Sequence, residues 1–582
     1  MLYLISNITD RIRKNRREVG MAFLFAFISF IMVIPFVHSG TLQITNDGVF
    51  HLQRINEIFD NLKNGKLSYI ATHTFSHVGI ASFEFYPSVF LYPWAALQFI
   101  FRPVTAFYIG WGIILFVTFE IAFHCMWSFS DGDWLRSAFF AIIYGVSGKF
   151  ITEFARFQLG ELFAYMFLPL AFLGFYKIFV VCSRNSILTL SIGMALIAYS
   201  HFITLYITIG LMLCLFIALT LKREITWNKI KYGIQSVVLF LLLSLWEFTP
   251  LVTNSFSKKI APPDFSFWPV DVNVLWNTSW GNQLYSDSSI GIMMIIILVI
   301  GWLFVVSNKE KWIYFLGVFL CFMTTTLFPW GLIAKTKLIH LFMPLQYSFR
   351  LIPLAVLMLS ITGSLVCVKV ARQFNKGIKP FIILVMLVIV AGSYAELISP
   401  LVRTINNGNI QLLTAKMRTL PITIAVRNKQ YNYINNDVAP TGSIDYMPKS
   451  TVKSQKLIDS VQSGDVFVNG NRIKYKVMVG PNTITYRLYA REGESINLPA
   501  IKYKRTFVKL NNKAIVTHES NRGTVQVNTF HTGRQLIEVT YKPTLLYYLL
   551  MIMALLIWVL LFTRFVIMKK FSPRIVAKGD NV

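Results

Sequence analysis

In a chain of 582 residues, 55% apolar and only 14% charged, apolar runs of about eighteen residues and more recur, which excludes a soluble globular class and marks a polytopic helical membrane protein. A formal net charge of +28 suits nucleic acid, but no zinc finger, RNA-binding signature or basic recognition helix accompanies it. The excess is assigned instead to cytoplasmic loops and one basic outer domain, with no nucleic-acid partner. The cysteines, Cys125, Cys182, Cys214, Cys321 and Cys367, fall in or beside predicted spans, so neither a disulfide framework nor a cysteine metal cluster is encoded.

The chain begins with Arg11, Arg13, Lys14, Arg16 and Arg17 ahead of an apolar run at 20–38 that lacks a small-residue cleavage site. It reads as an uncleaved signal anchor with a cytoplasmic N-terminus. Short basic stretches at 177–184, 222–231, 309–311, 372–379 and 564–578 set the cytoplasmic side. A large first outer loop, 39–104, follows the anchor; within it 56–66 reads as a short surface helix. The apolar run 84–101 carries Pro87 and Pro93. Counting it as a span would put 177–184 outside, so it reads as a re-entrant or interfacial helix.

Spans are expected at 105–127, 136–148, 161–180, 187–200 and 202–219 (hinged at Ser200-His201), 232–251, twice after 290, then at 351–370, 381–397 and 545–567. With the anchor this makes about 12, both termini cytoplasmic. The loop 252–290 collects Pro262, Pro263, Asp264, Trp268, Asp271, Trp276, Trp280 and Asp287, and 329–350 reads as an outer amphipathic stretch. The fold expected is therefore mainly α, with a transmembrane domain at 1–400, an extracytoplasmic, mostly β domain at 401–543, and a final helix with a basic cytoplasmic tail at 544–582. In the β domain, Ile473, Tyr475, Val477 and Val479, then Ile484, Tyr486 and Leu488, alternate in period two between the turn signals Asn469-Gly470 and Asn511-Asn512. That pattern predicts a small antiparallel sandwich.

Ionisable groups from distant parts of the chain share the outer side: Asp47, His51, Arg54, Glu84, Arg156, Glu161, His201, Arg350 and the acids after residue 251. A transferase for a lipid-linked sugar needs a carboxylate to take the acceptor's proton and fixed cations to stabilise the departing phosphate. Phosphate leaves readily, so the second acid of glycoside hydrolysis is not demanded. Asp47 is the candidate base; Arg350 or Arg156, with planar guanidinium forks, is the candidate phosphate holder. Structural roles compete with each. Asp47 also suits a solvated cap before Gly48; His201 suits an interfacial packing histidine, and Arg350 an anchor at headgroup level. The tryptophans suit an interface belt, and Glu84 and Glu161 structural ion pairs. Asp47, His51 and Glu57 offer weak grounds for a divalent cation, and no metal ligands are assigned. With no Walker loop or dinucleotide fingerprint, an activated substrate arrives on another carrier, and a polyprenyl phosphate is the obvious one.

The ordered set Asp47-Gly48-Val49-Phe50-His51-Leu52-Gln53-Arg54-Ile55, Asn64-Gly65-Lys66, Phe85-Tyr86-Pro87, Arg156 with Gly160-Glu161, Ser200-His201, Pro344-Leu345-Gln346-Tyr347-Ser348-Phe349-Arg350 and Asp445-Tyr446-Met447-Pro448 resembles the bacterial membrane family labelled pyruvoyl-tetrahydropterin-synthase-related. That family is similar to YfhO-type proteins and to the wider GT-C glycosyltransferases. The resemblance implies a GT-C-like transmembrane domain whose first outer loop supplies the catalytic acid, here Asp47. It also implies a polyprenyl-phosphate sugar donor. The candidate substrate contacts are His51, Arg54, Glu84, Tyr86, Arg156, Glu161, His201, Gln346 and Arg350. The chain departs from the pattern at Ser88, where a second proline often stands, and at Tyr347-Ser348-Phe349 ahead of Arg350.

The function expected is a plasma-membrane glycosyltransferase acting on an anionic envelope polymer, a teichoic acid or polysaccharide, or on a glycolipid. The basic outer domain suits an anionic acceptor or lipid headgroups. A flippase for a lipid-linked glycan, or a non-catalytic polymer-binding membrane protein, are the rival classes.

Overall fold

The computed structural model describes residues 16–45, 47–255, 260–261, 266–408, 410–415, 417, 423–436 and 444–571. Arg11, Arg13, Lys14, the Pro262-Pro263-Asp264 run and the basic tail beyond Phe571 lie outside them.

Among the described residues nine helices are long and apolar enough to cross a membrane: Glu18–Ser39, Pro103–Phe129, Trp134–Ala155, Leu159–Phe179, Phe202–Leu221, Trp227–Thr253, Ser348–Gln373, Lys379–Asn407 and Leu545–Ile567. The other three expected spans are shorter. Ile187–Ala198 has 12 residues, Ile292–Ile300 has 9 and Asn308–Thr324 has 17. A 12-residue helix reaches about 18 Å, well short of a hydrocarbon core of about 30 Å. Composition alone cannot separate such half-length helices from full spans, because their apolar runs look alike. Ile187–Ala198 packs closely on Leu159–Phe179, where a Cβ on Gly193 would stand 2.7 Å from the Ala171 nitrogen; the missing side chain permits the approach.

Two further expectations change. The surface helix at 56–66 is instead the helix Gly48–Leu62, and all of its residues from Gly48 to Ile58 are buried. The run 84–101 forms only the short helices Ser82–Phe85 and Leu91–Ala96 and the turn Leu97–Phe99, none long enough to cross.

The β domain is a pair of five-stranded antiparallel sheets. Numbering Thr41–Thr45 as β1 and Thr423–Arg427 as β2, the sandwich strands are β3 (Val466–Val468), β4 (Asn471–Ile473), β5 (Lys476–Gly480), β6 (Thr483–Ala490), β7 (Ser495–Ile501), β8 (Thr506–Leu510), β9 (Lys513–Ile515), β10 (His518–Glu519), β11 (Thr524–Asn528) and β12 (Gly533–Tyr541). The sheet orders are β10-β11-β7-β3-β4 and β5-β6-β12-β8-β9. Asn469 and Gly470 (φ 47° and 84°) turn β3 into β4, and Asn511 and Asn512 (φ 50° and 67°) turn β8 into β9, the paired positive φ that two-residue hairpins require. Ile484, Tyr486 and Leu488 fill the core from β6. The expected single face through Ile473 and Val479 is instead divided: β4 belongs to one sheet and β5 to the other.

The region 401–543, sandwich included, is bound to the first outer loop at several points. β1 pairs antiparallel with β2. The Asn482 carboxamide accepts from the Tyr69 and Ile70 nitrogens at 2.7 and 2.9 Å and donates to the Leu67 carbonyl at 2.9 Å. Gln53 donates to the Ile434 carbonyl at 2.6 Å. The loop and the β domain therefore form one cap over the same end of the helices.

Candidate active site

The Gly48–Leu62 helix places Asp47 at its N-cap without any side-chain capping hydrogen bond, so the structural role of a helix cap is not taken up. Just upstream, the Thr45 hydroxyl donates to the Ala155 carbonyl at 2.8 Å, fixing the Asp47 turn against the turn that carries Arg156. The Asp47 side chain is open to solvent, yet protein walls surround it. The desolvation they impose, reinforced by Glu161 and Asp287 and opposed by Arg156 and Arg350, pushes its pKa up from 3.8 to about 6. The acid after the first helix and the arginines of two distant segments thus act on one another electrostatically.

Arg350 is held from three directions. Its Nε donates to a Glu161 carboxylate oxygen at 3.2 Å, and its Nη1 donates to the Leu345 carbonyl at 2.7 Å and to the Gln346 side-chain oxygen at 2.9 Å. Nη2 takes part in none of these bonds, and the side chain is 16% exposed. The turn that presents it is itself pinned: the Trp268 nitrogen donates to the Gln346 carbonyl at 2.8 Å, the Ser348 nitrogen donates to the Trp268 carbonyl at 3.1 Å, and the Ser348 hydroxyl donates to the Thr324 carbonyl. Gln346 has a positive φ of 61°, a backbone state uncommon outside glycine, and in it the side chain reaches back to Arg350.

Arg156 is committed differently. Nη1 donates to the Tyr285 carbonyl at 2.6 Å and Nη2 pairs with Asp287 at 2.8 Å. Gln158 donates to the other Asp287 oxygen at 2.9 Å. The acidic loop after residue 251 therefore reaches the site through Asp287, which partly neutralises Arg156.

His201 caps the helix Phe202–Leu221: Nδ1 accepts from the Thr204 nitrogen at 3.3 Å. That bond needs a free lone pair on Nδ1, so the neutral ring carries its proton on Nε2. Burial, partly offset by Glu161 and assisted by Arg350, lowers its pKa to about 4. The Tyr86 ring lies 5.6 Å from His201 and 5.4 Å from His51, and its hydroxyl sits over Gly160, where any Cβ would collide with it. Tyr86 is the aromatic wall between Asp47, Glu161 and the two histidines.

Three sequence candidates are drawn into packing. Arg54 is 0% exposed and donates to the Tyr86 and Pro87 carbonyls at 2.7 and 2.8 Å. Its guanidinium is also framed by the rings of Phe50, Phe83 and Tyr86, and burial lowers its pKa to about 10. It pins the Tyr86 loop rather than facing substrate. His51, 2% exposed, has Nδ1 3.4 Å from Arg54; burial, Arg54 and His201 keep it neutral. Glu84, 3% exposed, lies against Tyr69 at the sandwich interface, not beside Asp47. Glu57 turns the other way, to the backbone at 73–74, so Asp47, His51 and Glu57 do not converge. Among the described residues no group of three or more His, Cys, Asp or Glu gathers as metal ligands do.

Three contributors escaped sequence reading. Lys149 and Glu153, both 0% exposed, lie behind Glu161: Lys149 Nζ is 3.7 Å from Glu153 and 3.9 Å from Glu161. A lysine and a glutamate four apart inside an apolar run was the available signal. Tyr446, from the β domain, stacks on Phe50 at 5.5 Å and so brings the Asp445-Tyr446-Met447-Pro448 motif to the Asp47 helix. Its family motif was legible, but its contact was not.

No protein-family model and no curated protein matches the chain. Among solved structures it is similar to the arabinofuranosyltransferase AftD from Mycobacteria, at 14% identity and a TM-score of 0.48, over 76% of this chain and 33% of that one. A mutant of the same enzyme gives 12% identity and a TM-score of 0.46, over 76% and 34%. The chain thus spans about a third of the length of those structures.

Proposed function

We propose that this chain is a membrane glycosyltransferase of the GT-C type. It takes a sugar from a polyprenyl phosphate at the outer face of the plasma membrane and transfers it to a hydroxyl of an envelope polymer, a teichoic acid or polysaccharide. The observation that carries this reading is Asp47: an open carboxylate, uncommitted to its own helix, with its pKa pushed up to about 6 and two arginines acting on it. A base whose pKa lies just below neutrality is mostly ionised at working pH and still basic enough to take a proton in the transition state.

In the reaction Asp47 accepts the proton of the acceptor hydroxyl as that oxygen attacks the anomeric carbon. The new C–O bond forms as the bond to the phosphate oxygen breaks, and the phosphate leaves with the electron pair, so the anomeric centre inverts. Arg350 holds the departing phosphate through Nη2, with Glu161, Leu345 and Gln346 fixing the rest of the guanidinium. The Nε2 proton of His201 is a second donor, and Arg156, already paired with Asp287, supplies field rather than direct contact. Both termini lie in the cytoplasm, and no cofactor is assigned.

Replacing Asp47 with Asn tests the proposal in cells. The polymer is expected to lose its sugar while the lipid-linked donor accumulates, read by mass analysis of the envelope polymer and of the extracted lipid. Unchanged polymer would sink the base assignment and favour a flippase.

A further inference from the structure

The sheet β5-β6-β12-β8-β9 packs one face on the sandwich core and turns the other to solvent: along β6, Ile484, Tyr486 and Leu488 are buried and Arg487 and Tyr489 are exposed. Register places a compact group at one end of that open face. Lys476 of β5 stands directly opposite Arg487 of β6, and Arg534 of β12 stands directly opposite Tyr489. Arg487 and Tyr489 are two apart on one strand and so share a face. Directly paired side chains lie about 5 Å apart and diagonal ones about 7 Å, so three cations ring one tyrosine that is 61% exposed.

Nothing among the described residues neutralises them. Among the described residues none of the three cations takes part in an ion pair. The acid of the same face, Glu538, is bound to Lys509 at 3.2 Å, and Glu494 at the neighbouring loop accepts from the Arg491 nitrogen at 2.7 Å. Like charges directly across a strand pair destabilise a sheet, so the Lys476–Arg487 pairing is a local cost with no internal return.

Position separates this group from the membrane. β12 runs from Gly533 to Tyr541 and the last helix begins at Leu545. Arg534 lies seven residues before Tyr541, up to about 23 Å along an extended strand, whereas surface charge is screened within about 8 Å at physiological ionic strength. The cations fit to meet headgroups are those at the other end, Arg505 and Lys542 beside Phe507.

We propose that the Lys476–Arg487–Arg534 face, with Tyr489 at its centre, binds an anionic glycan strand: the ring stacks on a sugar, and the cations meet its carboxylate or phosphate groups. That this strand is the polymer being glycosylated rests on the transferase reading; the binding itself does not.

The test uses the full-length protein in neutral detergent, with polygalacturonate, a phosphate-bearing mannan and neutral dextran as probes, and vesicles of phosphatidylglycerol. The intact protein is expected to bind one or both anionic glycans with an affinity that falls as salt rises, and not to bind dextran. The variant Lys476→Gln/Arg487→Gln/Arg534→Gln is expected to lose at least tenfold in affinity and most of the salt dependence. Tyr489→Ala is expected to lose about fivefold with the salt dependence intact. All four side chains project to solvent, so the unfolding midpoint should not fall in either variant, and removing the Lys476–Arg487 repulsion should if anything raise it. The proposal is overturned if the triple variant binds both glycans as before, if Tyr489→Ala changes nothing, which would mean bare polyelectrolyte attraction, or if the triple variant loses vesicle binding while keeping glycan binding. Asp47→Asn is expected to bind undiminished; normal polymer glycosylation in that variant would remove the transferase reading while leaving this face in place.

Discussion

The Gly48–Leu62 helix carries one carboxylate at its N-cap, Asp47, and another within it, Glu57, and desolvation by the surrounding protein raises both pKa values, Asp47 to about 6 and Glu57 to about 7. Their surroundings are otherwise opposite. Asp47 is open to solvent and takes no capping bond. Glu57 is 0% exposed and accepts from the His73 and Thr74 nitrogens at 2.7 and 2.9 Å, the Thr74 and Thr72 hydroxyls at 3.1 and 3.3 Å, and the Asn61 amide at 3.2 Å. A raised pKa alone therefore does not distinguish a working base from a latch. Whether the oxygens are free for a visitor does.

The sharpest way to break this comparison is to neutralise each acid in turn. Asp47→Asn is expected to slow sugar transfer by about a thousandfold, within the range general-base removal produces, without lowering the thermal unfolding midpoint. A variant that unfolds early would make Asp47 structural after all. Glu57→Ala strands two buried backbone donors and is expected to destabilise the fold by about 3 kcal/mol, seen as a lowered unfolding midpoint in detergent. If folded protein lost activity with no change in midpoint, the latch assignment would fail.

Arg350→Lys keeps the charge but loses the fork that lets Nε and Nη1 grip Glu161, Leu345 and Gln346 while Nη2 takes part in none of those bonds. About a tenfold fall in kcat/KM is expected, from steady-state transfer assays. Equal activity in the lysine variant would show that charge alone suffices.

The smallest effect is one of pH, and it runs in opposite directions for activity and stability. Transfer needs ionised Asp47, so kcat/KM should rise with pH through about 6 and then level. Both folded-state values are raised, so each acid's contribution to stability is fully present below its unfolded value, 3.8 for Asp47 and 4.5 for Glu57. Each is lost as pH rises through about 6 and about 7, respectively. Asp47→Asn should flatten the stability profile in the lower window and Glu57→Gln in the upper one, measured as unfolding midpoint against pH.

Much of this arrangement was written in local pattern. The long apolar runs, the paired-asparagine and Asn-Gly turns, and the alternation of β6 report a backbone period that sequence carries directly. Asp47 and Arg350 were visible because ionisable groups beside apolar helices are few. The fates of Arg54 and Glu84 were not visible, because burial depends on what another segment contributes: the Tyr86 and Pro87 carbonyls for Arg54, the sandwich tyrosines for Glu84. Lys149 and Glu153 lie just beyond the expected span at 136–148 and were not among the candidates, since only the third dimension brings Glu161 alongside them. The Ile473–Val479 alternation misled because it runs unbroken through a change of sheet.

β1 has a consequence for how such a chain is made. Thr41–Thr45 is extended straight after the first helix, yet its pairing partner, β2, lies some 380 residues later. During synthesis the strand emerges early and waits through seven of the nine long apolar helices before its ladder can close. The turn holding Asp47 sits directly on that strand, so the nascent polypeptide acquires the final placement of this carboxylate late, and a chain that stops before β2 has no partner strand to hold that turn.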